Sequence, residues 1–198
     1  SFIYSVFFSV LAYPVSGTPF VDQHSAFFSL MGIYSLILGI KNKNKIYWIL
    51  LPIFFGFAFL SKQVPSSYVI ITTTVLLIFF SLIKKEYYWI KYSLLSSFVF
   101  ILSLVIFGII QKITLVNFLD QYFFYPQTIG AGRLLNFNLT FNGVVSHFKF
   151  IYISMIPLFL VNIKEAFHQK SYLKDNNFYY FSILILFTFS LIFHQVLT

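Results

Sequence analysis

The chain has 198 residues, of which 59% are hydrophobic and 9% charged, with no cysteine and a formal charge of +8. A soluble domain carries about 25% charged residues, so this balance excludes an ordinary water-soluble fold, and the missing cysteine excludes disulfides and thiolate metal centres. The excess of base does not form a nucleic-acid surface, because lysines are scattered one to three at a time between apolar runs; in such a chain they report topology instead.

A helix needs roughly 20 residues to cross a bilayer core. The length therefore predicts an all-α integral membrane protein, a multi-pass bundle of about seven short transmembrane helices making a single transmembrane domain over 1–198. In chain order the apolar runs are 2–13, 25–40, 46–60, 68–83, 92–110, 150–163 and 178–197. Membrane strands alternate lipid-facing and lumen-facing residues, whereas Val75-Leu76-Leu77-Ile78-Phe79-Phe80 is apolar throughout, so helices are expected. The first run opens directly on Ser1 and the last residues are still apolar. This predicts an internal piece of a longer protein, truncated at both ends.

Between the first two runs lies a polar turn, Pro14-Val15-Ser16-Gly17-Thr18-Pro19-Phe20-Val21-Asp22-Gln23-His24. Asp22 falls at the start of the run 25–40, where unpaired helix amides and the helix dipole stabilise a carboxylate. It reads either as that first-turn acid or as a carboxylate at the mouth of a cavity, able to act as a base or bind a cation. With His24 it forms a candidate ligand pair for a divalent metal ion. The runs 46–60 and 68–83 are joined by Ser61-Lys62-Gln63-Val64-Pro65-Ser66-Ser67 and are either two spans or a re-entrant pair. Lys62 either snorkels to the headgroups or holds a lipid phosphate as a point charge.

Residues 111–147 form the longest non-spanning connection. Its first half spaces apolar residues at helical intervals, as in a helix lying in the membrane interface, and Pro126 is expected to end that helix. Tyr125, Gln127 and Asp120 are candidates for a carbohydrate site, with the interfacial tyrosine belt as the alternative. Arg133, the only arginine, follows Gly130-Ala131-Gly132 and is suited to planar recognition of phosphate or carboxylate; it reads equally as a headgroup anchor.

Orientation follows from the basic residues. With alternating sides, Lys41, Lys43, Lys45, Lys84, Lys85, Lys91, Lys164, Lys170 and Lys174 share one side, and Lys62, Lys112, Arg133 and Lys149 the other. The richer side is expected in the cytoplasm. The expected location is the inner (cytoplasmic) membrane, with the opening turn, Lys62 and the 111–147 connection facing the periplasm or outside.

The order of these features resembles the membrane-embedded glycosyltransferases of the C superfamily, the group that includes protein O-mannosyltransferases and lipid A aminoarabinose transferases. The resembling pieces are Gly17-Thr18-Pro19-Phe20-Val21-Asp22-Gln23-His24-Ser25 opening a helix, the helix from Leu51 to Ser61-Lys62-Gln63, and the outer segment Tyr125-Pro126-Gln127-Thr128-Ile129-Gly130-Ala131-Gly132-Arg133. The resemblance implies a sugar donor carried on a polyprenyl phosphate, an acceptor hydroxyl deprotonated by a carboxylate, and a leaving phosphate held by basic groups. By position it matches Asp22 to the family's second outer-face acid and makes Lys62 and Arg133 candidates for phosphate contacts; Gln63, Tyr125 and Gln127 join them as candidate substrate-binding residues. The family's principal catalytic acid falls upstream of residue 1. The other expected class is non-enzymatic, a lipid-linked oligosaccharide flippase or polysaccharide-assembly component, which needs a polar path through several spans.

Overall fold

The computed structural model describes residues 21–128, 140–168 and 172–197. Every element among them is helical: α1 (Val21–Asn42), α2 (Lys45–Ser61), α3 (Gln63–Lys84), α4 (Tyr88–Ile110), the short α5 (Leu115–Leu119), α6 (Lys149–His168) and α7 (Asn176–Leu197). Five of these, α1, α3, α4, α6 and α7, are long and apolar enough to cross a membrane; α2 is apolar but has 17 residues. At 1.5 Å per residue α3 is about 33 Å long and α2 about 25 Å. The expected count of about seven spans thus meets five helices of sufficient length and a shorter sixth. The run 2–13 lies outside the described residues.

The outside of the bundle is as greasy as its inside. Leu94, Phe98, Ile101, Val105 and Ile109 of α4 are all exposed, as are Phe150, Ile153, Leu160 and Ile163 of α6. In water such surfaces associate or aggregate, whereas in a bilayer they are the solvated face. These lengths and this exposure are those of a multi-pass helical membrane protein.

Inside, α1, α3 and α7 enclose Ile33, Leu36, Ile40, Leu76, Leu77, Phe80, Tyr179 and Ile183. α1 lies along α2, and α2 along α4. Close approach of α1 and α2 depends on small residues. A Cβ added to Gly32 would fall 2.3 Å from the Phe55 ring, and one on Gly39 would fall 2.8 Å from Trp48. Lipid chains are as apolar as leucine, so helices in a membrane gain by packing closely, and small residues at the contact permit it.

Pro52 sits inside α2. It has no N–H to return to the carbonyl four residues back, that of Trp48, and its ring crowds the preceding turn. α4 supplies the missing donor: Ser93 Oγ donates to the Trp48 carbonyl at 3.1 Å, and Ser96 Oγ adds a bond to the adjacent Ile49 carbonyl at 2.6 Å. A proline in an apolar span is tolerated where a neighbouring helix satisfies the freed groups in this way.

The helices define two ends. At one, Lys43 in the α1–α2 turn pairs with Glu86 in the α3–α4 turn at 2.7 Å, and Lys84 donates to Asn176 at the start of α7 at 2.9 Å. α3 therefore runs back along α2, so residues 46–83 form an antiparallel helical hairpin. At the other end lie the first turn of α1, the α2–α3 joint and the connection that follows α4.

Candidate functional site

The second end gathers the polar residues. α2 and α3 meet at a single residue, Lys62, which ends one helix and precedes the other; its N–H closes α2 on the Ala58 carbonyl at 3.0 Å. The chain then bends at Val64, whose backbone is extended, and α3 winds on from Pro65. A proline in a first helical turn loses nothing by lacking an N–H. The Val64–Pro65 peptide bond is cis.

Two buried serines hold this joint. Ser25 Oγ of α1 lies 2.5 Å from Ser66 Oγ of α3, and Ser66 Oγ lies 2.8 Å from the Ala58 carbonyl and 2.7 Å from that of Lys62. Each hydroxyl carries one proton, so Ser66 serves one acceptor at a time, and either serine can be the donor between them. Both side chains are fully shielded, so an unmade bond here would carry the full desolvation penalty. The backbone of Lys62 is thereby fixed against α1.

Asp22 occupies the first turn of α1, three residues before Ser25 and on the same face. The Lys62 ammonium forms an ion pair with its Oδ1. The two side chains retain 48% (Asp22) and 29% (Lys62) of their exposure, so solvent screens the pair and it contributes little to stability. Its interest is chemical: an acid and a cation meet at the rim on a frame that buried hydroxyls hold still.

Gln63 completes the group. Its Nε2 donates to the Tyr122 carbonyl, and the Tyr122 hydroxyl donates back to the Leu60 carbonyl at 3.3 Å. The connection after α4 is thus fastened at both ends of Tyr122 to the α2–α3 joint. Thr114 caps α5 by accepting from the Asn117 N–H at 3.2 Å, and a π-helical turn follows over Asp120–Phe124. Tyr122 stacks on Phe118 with ring centroids 4.9 Å apart. Helical backbone continues over 125–128, which corrects the expectation that Pro126 ends the helix. Pro126 has no N–H for the carbonyl four residues back. That carbonyl belongs to Tyr122, and Gln63 takes it.

Of the sequence-derived candidates, Asp22, Lys62 and Gln63 are brought together. Tyr125 and Gln127 follow on the next turn and are exposed. Arg133 lies outside the described residues. His24 shares the first turn of α1 with Asp22, but residues two apart on a helix do not face each other. No group of three or more His, Cys, Asp or Glu able to hold a metal ion occurs among the described residues. Sequence reasoning passed over Ser25, Ser66 and Tyr122. The signal for the serines was their position, small polar residues at the first turns of two apolar runs; for Tyr122 it was the proline four residues later.

Comparison with protein-family models, with curated proteins and with solved structures finds no match for this chain.

Proposed function

We propose that the chain is the membrane portion of a glycosyltransferase that moves a sugar from a polyprenyl-phosphate donor to an acceptor at the outer face of the membrane. Support comes from one observation above all: the Asp22–Lys62 ion pair, held by Ser25 and Ser66 and joined through Gln63 to the connection after α4. In this reading the rim is the outer one, because the opposite end carries most of the lysines. The paired state is the resting state. A donor phosphate entering beside Lys62 takes over the ammonium, since an ammonium holds phosphate as a point charge, and leaves Asp22 an unpaired carboxylate. As the second outer-face acid, Asp22 then accepts a hydrogen bond from the acceptor hydroxyl and supports its deprotonation. Gln63 is committed to Tyr122 and keeps the connection closed over the site, with Tyr125 and Gln127 on its exposed side available to the sugar.

The test uses the full-length protein, purified and supplied with a radiolabelled polyprenyl-phosphate sugar. Asp22→Asn and Lys62→Gln are each expected to lower transfer by about 10²-fold or more, the usual contribution of a positioned acid–base group, with thermal stability unchanged. Wild-type turnover in both variants rejects the reading. Lipid translocation without any transfer favours a flippase instead.

A further inference from the structure

The end of the bundle opposite Asp22 has a chemistry of its own. Both tryptophans of the chain lie there. Trp48, near the start of α2, and Trp89, near the start of α4, have ring centroids 5.9 Å apart, and Tyr88 meets Trp48 edge-on at 6.0 Å. Their N–H groups are satisfied, Trp48 by the Tyr88 hydroxyl at 3.2 Å and Trp89 by Ser81 Oγ at 2.7 Å. Tryptophan and tyrosine concentrate where the hydrocarbon gives way to headgroups, so this layer marks headgroup depth.

The described residues of this end include eight lysines, Lys41, Lys43, Lys45, Lys84, Lys85, Lys91, Lys164 and Lys174, against three acids, Glu86, Glu165 and Asp175. Two of the lysines are spent on the fold, Lys43 on Glu86 and Lys84 on Asn176. Lys45, Lys85 and Lys91 are exposed and carry no ion pair among the described residues. They come from three places at this end, the start of α2, the α3–α4 turn and the first turn of α4, and the Trp48–Trp89 contact joins the first of these to the last. Lys85 projects from a left-handed residue, φ 56°, just beyond the end of α3.

We propose that this end binds anionic phospholipid, with Lys45, Lys85 and Lys91 holding the headgroup phosphates beside the tryptophan pair. Charge complementarity selects the occupant. An ammonium at headgroup depth meets lipid phosphate first, and the anionic leaflet's surface potential attracts each lysine near it. A zwitterionic lipid offers the same phosphate with a compensating cation, so discrimination rests on net headgroup charge. This inference concerns the lysine-rich end and is independent of the transferase reading of the other.

Native mass spectrometry of the full chain, released from nanodiscs of phosphatidylcholine and phosphatidylglycerol, tests it. Phosphatidylglycerol is expected to be retained over phosphatidylcholine, with a preference that shrinks as salt rises. Replacing the three lysines together by glutamine is expected to lower phosphatidylglycerol affinity by roughly a hundredfold, about fivefold for each, while arginine at the same positions preserves it. Each single variant should show its own fivefold loss, which keeps the test decisive if the triple variant unfolds. Lys112→Gln with Lys149→Gln, at the opposite end, should change nothing. Equal retention of the two lipids, an equal loss from the Lys112 and Lys149 pair, or full displacement by millimolar inorganic phosphate overturns the proposal.

Discussion

Gln63 gives its side-chain amide to the backbone carbonyl of Tyr122, four residues before Pro126 in the connection after α4. The arrangement repeats a device used deeper in the bundle, where Ser93 serves the Trp48 carbonyl that Pro52 leaves open. In each case a proline creates an acceptor on one element and a polar side chain on a neighbour fills it. A proline thereby becomes a point of attachment between helices.

Gln63→Ala should therefore loosen the connection without unfolding the bundle. The expected result is faster amide exchange over 115–128, with the exchange of α1 and α7 unchanged. Gln63→Glu, which keeps the size but loses the amide donor, should behave like alanine. Unaltered exchange in both variants would show that the contact does not hold the connection.

Ser93→Ala leaves the Trp48 carbonyl without a donor in an apolar setting. Unmade buried hydrogen bonds cost about 1–3 kcal/mol, and interhelical ones in membranes average about 0.6 kcal/mol. The loss should lie between these values in the parent protein and shrink in a Pro52→Ala background, where residue 52 regains its N–H. A double-mutant cycle on unfolding stability measures the coupling, and additive losses would refute the attachment role.

Gly32→Leu forces a side chain into the Phe55 ring, whereas a Cβ added at Gly108 meets nothing within 4 Å, leaving open space for Gly108→Leu. Overpacking of a tight contact costs about 1–3 kcal/mol. The first variant should lose about that much stability and the second almost none, as read by thermal unfolding in detergent.

Lys43 is held protonated by its hydrogen bond to Glu86, so its pKa is raised above the ordinary 10.5. A group whose pKa rises on folding stabilises the fold below its unfolded value and loses that contribution as pH climbs through the folded one. The stability difference between the parent and Lys43→Gln should accordingly be constant at neutral pH and vanish above pH 10.5. Lys43 is 60% exposed, so the difference should be small and weaken with salt. A gap that widened at alkaline pH would contradict the assignment.

The amino-acid sequence by itself determined the class of this protein, the existence and rough position of its long apolar helices, and the division of charge between the bundle's two ends. Those properties are local: composition sets the solvent, and a cluster of lysine or a proline acts where it stands. Asp22, Lys62 and Gln63 were legible as an end-of-helix polar set because they stand in short polar stretches between long apolar runs. Only the tertiary structure decided that Lys62 reaches Asp22, that Ser25 meets Ser66, that Gln63 answers Pro126 and that Trp48 lies on Trp89. The reason is the solvent. In water a helix shows which side faces its neighbours by where its apolar residues fall. In lipid the outward side is as apolar as the inward one, so α4 reads the same on all faces, and which helix it touches is settled only when Ser93, Ser96 and Phe100 meet α2.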